Sequence, residues 1–160
     1  MTFSVLGVAE PKGSTKAVPI RHRFPFIVRN YRDLLTSVAV TSDNPAVKAW
    51  QAAIAKAAWC AKQDLPPAAR RPIDAGAVAL QVVFYLPRPS GLAKSYVGPH
   101  LKKPDLDKLV RAVKYALTEV IWQDDSQVTG VTATKTYAGL GESPRAEITV
   151  TLVEPPLLAG

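Results

Sequence analysis

Residues 77–86 read AVALQVVFYL and carry the strongest strand signal in the chain. The run is rich in β-branched and aromatic side chains, which fit the pleated surface of a buried strand. Prolines and a glycine follow at once in PRPSG, residues 87–91, and these residue types interrupt strands and favour turns. Working outward, we predict a strand at 77–86 and then a long basic loop over residues 87–104, a length typical of functional loops.

Helical patterns lie on both sides of this strand. Apolar residues recur at three- and four-residue spacing over residues 105–120, which predicts a helix with one buried face. Upstream, the segment DNP at 43–45 is typical of a helix start and predicts a helix over 45–63. Within that helix we expect the single cysteine, Cys60, to be buried beside Trp59.

Further strands are predicted near both ends of the chain. An N-terminal strand over 3–9 is expected to pair with a short run at 24–28. Two alternating runs, 127–137 and 145–153, are separated by AGLGE, which predicts a hairpin. The sequence therefore indicates a single α+β domain over residues 1–160, with two main helices packed on a mixed or antiparallel sheet.

Charge is unevenly distributed along the 160-residue chain, whose formal net charge is +7. Residues 1–104 hold 15 basic and 5 acidic residues, and residues 105–160 hold 5 basic and 8 acidic ones. A basic body attracts a polyanion such as DNA, and a local acidic cluster captures a cation. This combination suits an enzyme that hydrolyses phosphodiesters with the help of a metal ion.

The acidic cluster consists of Asp105 and Asp107 at the start of the second helix and Asp124 and Asp125 after it. Oxygen ligands favour Mg²⁺ or Mn²⁺ over zinc, and the chain has only two histidines and one cysteine. Structural roles account for the same residues equally well: Asp105 as a helix cap, Asp107 as a partner of Arg111, and Asp124-Asp125 as a turn. A helix about 24 Å long would also hold the two pairs of acids apart.

Other classes find less support in the sequence. Apolar runs of membrane-spanning length are not present, and the N-terminus is unlike a secretory signal. With one cysteine and no such signal, we expect a cytoplasmic protein without a membrane partner. P-loop, dinucleotide-binding and Ser-His-Asp patterns are not found.

The residues around the acidic cluster resemble the RusA family of Holliday-junction resolvases. The resemblance rests on KPDLDKLVRA at 103–112, ALT at 116–118 and WQDDSQV at 122–128, with weaker support from EPKGS at 10–14 and FYLPRP at 84–89. In that family an Asp-x-Asp pair opens a helix that carries a basic residue, and an Asp-Asp segment follows.

The resemblance implies a metal-dependent endodeoxyribonuclease that acts as a homodimer on branched DNA. It would resolve four-way junctions by paired nicks, using Mg²⁺ with Mn²⁺ as a possible substitute, in a bacterial or phage-infected cell. Asp105, Asp107 and Asp125 would bind the metal with Asp124 beside them, and Arg111 would offset negative charge that develops on the phosphate. Three positions depart from the family pattern: Lys108 replaces Asn, Arg111 replaces Lys, and Tyr115 replaces a further Asp.

Basic residues outside the acidic cluster are candidates for contacts with DNA phosphates. They lie in the N-terminal loop, in the loop after the central strand and in the second helix: Lys12, Lys16, Arg88, Lys94, Lys102, Lys103 and Lys108. Each is equally well explained as solvated surface, and His100 as either loop structure or a substrate contact.

Two rival functions remain open from the sequence. A non-catalytic nucleic-acid-binding protein, or a nuclease with broader specificity for other branched or RNA-containing substrates, would share the charge pattern. A nucleotide-sugar transferase would also use an Asp-x-Asp metal site, although it needs a larger nucleotide-binding domain.

Overall fold

The computed structural model describes residues 1–13, 15–20, 37–42, 46–96 and 98–154; for 15–20 and 37–42 the description is of the backbone. The elements in chain order are β1 (Thr2–Leu6), β2 (Thr15–Ile20), β3 (Ser37–Ser42), α1 (Ala46–Gln63), β4 (Ala77–Leu86), α2 (Leu106–Leu117), β5 (Val128–Tyr137) and β6 (Arg145–Val153). Short 3-10 turns lie at Pro67–Arg70 and Asp125–Gln127.

Four of the strands form a mixed sheet in the order β1-β6-β4-β5. β6 is antiparallel to both β1 and β4, whereas β5 runs parallel to β4. β2 and β3 form a separate antiparallel pair. The prediction of an α+β domain with two main helices and a mixed sheet is confirmed.

The central strand β4 supplies the apolar floor of the core. Its side chains alternate across the sheet, and Val78, Leu80, Val82, Phe84 and Leu86 are each at most 1% exposed. Alternation with period two places these five on the same face. Both helices pack on that face, because it is the sheet surface with enough apolar area to bury them.

The two helices contact each other over the core. α1 buries Val47, Trp50 and Ile54, and α2 buries Leu109, Val113 and Leu117. These positions follow the three- and four-residue spacing read from the sequence. The predicted helix start at 43–45 lies outside the described residues. Neither helix is long and apolar enough to cross a membrane, within the part of the chain that the structure describes.

The predicted hairpin of residues 127–137 and 145–153 is wrong, although both strands exist. β4 lies between β5 and β6 and bonds to both. β4, α2 and β5 instead form a β-α-β unit, in which a helix connects two parallel strands. The most apolar strand takes the centre, where both of its edges are paired, and the threonine-rich β5 takes an edge.

Other sequence predictions need smaller corrections. Cys60 is exposed, not buried, and its neighbour Trp59 is 60% exposed, because these two residues fall on the solvent side of α1. β1 ends at Leu6, so the strand predicted over 3–9 is shorter. The predicted strand at 24–28 lies outside the described residues, and the pairing of β2 with β3 was not predicted.

α2 ends at Leu117, three residues before the predicted end at Val120. The chain then reverses tightly, since the amide of Ile121 donates to Leu117 O at 2.8 Å and that of Glu119 to Trp122 O at 2.7 Å. Glu119 adopts a φ of +64°, a conformation uncommon for residues other than glycine. This turn brings the acidic segment after Trp122 back beside the last turns of α2.

Candidate functional site

An open cleft of about 670 Å³ lies between α2 and the edge strand β5. Its wall on the helix side carries most of the charged groups, and its wall on the strand side is apolar. The lining residues are Leu106, Asp107, Val110, Arg111, Lys114, Tyr115, Asp125, Val131 and Ala133. The cleft therefore combines two carboxylates with two cations in one open space.

Helix periodicity explains why the charged residues of α2 share this wall. Asp107, Arg111 and Lys114 are four and three residues apart, so they lie on one face of the helix. The opposite face is occupied by buried residues such as Leu109 and Val113. Burial of the apolar face thus orients the charged stripe toward the cleft.

Asp125 reaches the cleft from the 3-10 turn that precedes β5. Its Oδ1 accepts a hydrogen bond of 3.1 Å from Thr118 Oγ1, and its Oδ2 lies 3.6 Å from Lys114 Nζ. Both partners belong to the C-terminal end of α2. The tight reversal after Leu117 is what makes these contacts possible, and it overcomes the separation expected from a longer helix.

Asp107 and Arg111 both point into the cleft and are exposed. The ion pair that their four-residue spacing allowed is not formed between them in the described structure. Their charges are therefore available to a ligand in the cleft.

Asp105 lies outside this cleft. It occupies the cap position of α2 without a side-chain capping bond, and its Oδ2 is 3.0 Å from Lys108 Nζ. The hydrogen bond and charge of Lys108 hold the pKa of the Asp105 carboxyl below its usual value. Asp105 instead lines a second groove with Glu10, Lys103 and Lys108.

Asp124 stabilises the turn that presents Asp125. Its Oδ1 accepts from the amide of Ser126 at 2.7 Å, and the Gln127 side chain accepts from the amide of Asp124 at 2.9 Å. This reciprocal capping satisfies backbone donors at the start of the turn. The bonds from Ser126 lower the pKa of the Asp124 carboxyl.

The acidic residues of the cleft suggest a site for a divalent metal. Within the described residues, no three histidine, cysteine or acidic side chains are grouped closely enough to hold a metal ion. Asp107 and Asp125 nevertheless face the same cleft. Mg²⁺ commonly takes one or two protein carboxylates and completes its shell with water and substrate phosphate, so these two residues fit its chemistry, while Asp105 lines the second groove.

The N-terminal loop contributes to the mouth of the cleft. The amide of Lys12 donates to Lys108 O at 3.1 Å, which fastens the loop to the first turn of α2. The Lys12 ammonium lies 2.7 Å from the ring centroid of Tyr115, which is 54% exposed in the cleft wall. This contact is a cation–π interaction, and it adds positive charge beside the site.

The other basic candidates lie in different places. Arg88 is engaged inside its own loop, where its guanidinium donates to the carbonyl oxygens of Ala93, Lys94 and Tyr96. Lys94, Lys102 and Lys103 have exposed side chains, and Lys103 lines the second groove. Lys16 lies in β2, and its side chain is outside the described structure.

Lys135, on the last third of β5, anchors the start of α2. Its Nζ donates to Lys102 O and to Pro104 O, each at 2.7 Å. The adjacent backbone adds a bond from the His100 amide to Lys135 O at 3.1 Å. The loop before Asp105 is thus held on the same strand that forms the apolar wall of the cleft.

His100 is buried, 8% exposed, and its ring lies 4.6 Å from that of Tyr137. Burial, followed by the positive charge of Lys135, lowers the pKa of the imidazole below its usual value. Because His100 is buried in the packed loop, a role in loop structure is favoured over a contact with substrate.

Sequence reasoning missed three residues that shape the site: Lys114, Thr118 and Lys135. Lys114 had a usable signal, because it lies seven residues after Asp107 and three after Arg111 on one helix face. Thr118 was part of the family resemblance but had no predicted role, and Lys135 had no signal, since their roles depend on which segments the fold brings together.

Two comparisons with known proteins found similar sequences. The family model described as endodeoxyribonuclease RusA matches residues 28–151. A curated relative, the uncharacterized protein YqaN of Bacillus subtilis (strain 168), is 34% identical over 88 residues, covering 49% of this chain and 59% of that protein. The chain therefore spans about three fifths of the relative that it matches.

Proposed function

The chain belongs to the RusA family of endodeoxyribonucleases, and from this membership we propose that it is a metal-dependent endonuclease that hydrolyses phosphodiesters in branched DNA. Four-way junctions are the proposed substrate, and paired nicks by a homodimer are the proposed outcome. The observation that carries the proposal is one cleft lined by Asp107, Asp125, Arg111 and Lys114. Such a cleft offers both a cation site and positive charge for a phosphate.

Asp107 and Asp125 are the residues that would hold Mg²⁺, with Mn²⁺ as a substitute. When bound, the ion supplies positive charge that stabilises the reacting phosphate and favours deprotonation of the attacking water. Asp105 would act through its pair with Lys108 at the start of the helix, and Asp124 through the turn that holds Asp125. This ranking differs from the equal weight that the resemblance assigned to the three acids.

Arg111 would act directly on the substrate. Its guanidinium lines the cleft and is exposed, and a planar fork of donors can contact two phosphate oxygens at once. Negative charge that develops on the phosphate during hydrolysis would be offset at that position. Arginine keeps its charge throughout, so the role is electrostatic and not proton transfer.

The shape of the charged surface fits a nucleic acid better than a small molecule. The main cleft is open, and a second groove carries Lys103 and Lys108 beside the start of α2. Lys12 adds charge at the mouth of the main cleft. DNA along this face would meet several lysines in succession, and neutralising phosphates in this way makes binding strongly dependent on salt. The proposed setting is the cytoplasm of a bacterium or of a phage-infected host.

The proposal is tested by cleavage of a labelled four-way junction and a linear duplex of the same sequence, in Mg²⁺ or in EDTA. We expect paired nicks on the junction that disappear in EDTA and fall at least about 100-fold in Asp107→Asn, a change typical of losing a central electrostatic group. Junction binding without any cleavage would favour the non-catalytic binding protein. Equal cutting of both substrates would leave a nuclease that is not selective for junctions.

A further inference from the structure

Lys114 is the less exposed of the two cations that line the cleft, and it contacts an acidic group there. Its Nζ is 3.6 Å from Asp125 Oδ2, and the two side chains are 25% and 38% exposed. Thr118 Oγ1 lies within donating distance of the other oxygen of the same carboxylate, at 3.1 Å, and of Lys114 O, at 2.9 Å, so these two acceptors share its single hydroxyl proton. Both oxygens of Asp125 are therefore engaged by the C-terminal end of α2.

The contact between Lys114 and Asp125 is loose. Charge-assisted N–H···O bonds are usually 2.7–2.9 Å long, and the Lys108–Asp105 pair on the same helix measures 3.0 Å. At 3.6 Å the Lys114 ammonium neutralises Asp125 by charge but is not held in a short hydrogen bond. A lysine side chain has four rotatable bonds in its stem, so its ammonium can move several ångströms without any change in the backbone.

We propose that Lys114 is a resident counter-ion, which occupies Asp125 until a divalent cation replaces it and which then binds a phosphate of the substrate. The inference rests on the proposed function, since it takes Asp125 as a metal ligand and DNA as the substrate. It assigns Lys114 a role in positioning the substrate, next to Arg111 on the same face of α2.

This arrangement couples metal and DNA binding through one side chain. Without DNA, Lys114 and the divalent cation compete for Asp125, so the empty protein binds metal weakly. With DNA, a phosphate offers Lys114 another partner, and the competition is relieved. Because coupling between two ligands is reciprocal, DNA should strengthen metal binding and metal should strengthen DNA binding.

The test is a Mn²⁺ titration of the full chain without DNA, followed by electron paramagnetic resonance, for wild type, Lys114→Gln and Lys114→Arg. We expect Lys114→Gln to bind Mn²⁺ about two- to fivefold more tightly, the range that corresponds to a partly exposed ion pair. Lys114→Arg retains the charge and should remain close to wild type. Cleavage at saturating Mn²⁺ should nevertheless fall about tenfold in Lys114→Gln, because the phosphate loses a cation.

The opposite signs of these two effects distinguish the proposal from a structural role, which would weaken both metal binding and cleavage. Lys108→Gln is the matched control, since it removes a lysine–aspartate pair from the same helix outside the cleft, and it should leave Mn²⁺ affinity unchanged. Lys114→Met retains the aliphatic stem if the glutamine variant unfolds.

Asp125→Asn separates failure of this inference from failure of the proposed function. Mn²⁺ binding that is lost in Asp125→Asn but unchanged in Lys114→Gln would retain the metal site and overturn the role of Lys114. Wild-type protein that binds no Mn²⁺, with or without junction DNA, would overturn both.

Discussion

Helix α2 carries an aspartate–lysine pair near each end, and the two pairs differ in their surroundings. At the N-terminal end, Asp105 and Lys108 form a 3.0 Å pair beside the loop that leads into the helix. At the C-terminal end, Asp125 and Lys114 form a looser 3.6 Å pair inside the cleft with Asp107 and Arg111. The same two residue types therefore stabilise a helix start in one place and compose a candidate active site in the other.

Residue type and spacing therefore do not reveal which aspartates of this chain line the cleft. The resemblance gave Asp105, Asp107 and Asp125 equal weight, whereas only the last two face the same cleft. A surface ion pair of the first kind contributes little to stability. A carboxylate in an open cleft beside an exposed arginine can do chemistry, because a ligand can reach both groups.

The largest expected effect comes from exchanging the carboxylate at each end of the helix for an amide. Asp125→Asn should lower the rate of junction cleavage at least about 100-fold, because it removes a group that would hold the metal. Asp105→Asn should lower it by about tenfold or less, since this residue acts only through the start of the helix. Single-turnover cleavage in Mg²⁺ measures both variants.

Junction binding in EDTA serves as the control for folding and DNA affinity in these two variants. If Asp105→Asn loses as much activity as Asp125→Asn, then Asp105 joins the metal site when DNA is bound, and the distinction between the two ends of α2 disappears.

A smaller effect is expected from replacing Lys135, which holds the loop at the N-terminal end of α2. Lys135→Met removes both 2.7 Å bonds to Lys102 O and Pro104 O. Because water can reach these carbonyls, we expect the free energy of unfolding to fall by about 1 kcal/mol, the net contribution of a typical hydrogen bond. Denaturant unfolding measures the loss. Lys94→Met is a matched control, since Lys94 lies in the loop that Lys135 holds and its side chain is exposed.

Lys135→Met should also reduce cleavage, because the loop that it holds positions Asp107 through the start of α2. Equal unfolding free energies for Lys135→Met and Lys94→Met would show that the loop is held by its backbone contacts instead.

The smallest expected effect is a pH dependence of folding stability, caused by His100 in the loop before α2. The pKa of His100 is lowered in the folded protein from 6.5, so the unfolded chain binds a proton more readily than the folded one. Folding stability should therefore be complete above about pH 6.5 and decrease as the pH falls below it. His100→Phe keeps a ring against Tyr137 and should flatten this decrease.

Thermal unfolding of wild type and His100→Phe between pH 7 and pH 5 measures the difference, above the range in which carboxylates titrate. Parallel curves for the two proteins would exclude His100 as the source of any pH dependence.

Much of the fold could be predicted from local patterns. The bounds of β4 and β6, most of α1 and the core face of α2 agree with the sequence analysis, because periodicity reports which side of an element is apolar. The hairpin prediction failed for a non-local reason: adjacency along the chain does not determine which strand pairs with β4. Cys60 was misplaced because residue type reports average burial and not the face of the helix on which it lies.

The candidate site, like the fold, could be predicted only in part from local patterns. Its residue types, the acid pairs flanking a helix and the basic residue within it, were recognisable from the sequence, as was the resemblance to a family. The set of residues that line the cleft was not recognisable from the sequence, because Asp125 reaches Lys114 and Thr118 only through the tight turn at Glu119. Lys135 likewise meets Lys102 and Pro104 from a distant strand.

By itself, the amino-acid sequence determined the helices, the main strands, the charge balance and the chemical kind of site that this protein carries. These properties depend on neighbouring residues, whose spacing follows the regular geometry of each element. Tertiary structure alone decided the strand order, the meeting of Asp107 and Asp125 in one cleft, and the lysine that pairs with Asp125. Those features depend on contacts between segments far apart in the chain, where burial of the apolar face of α2 against β4 determines which charged side chains meet.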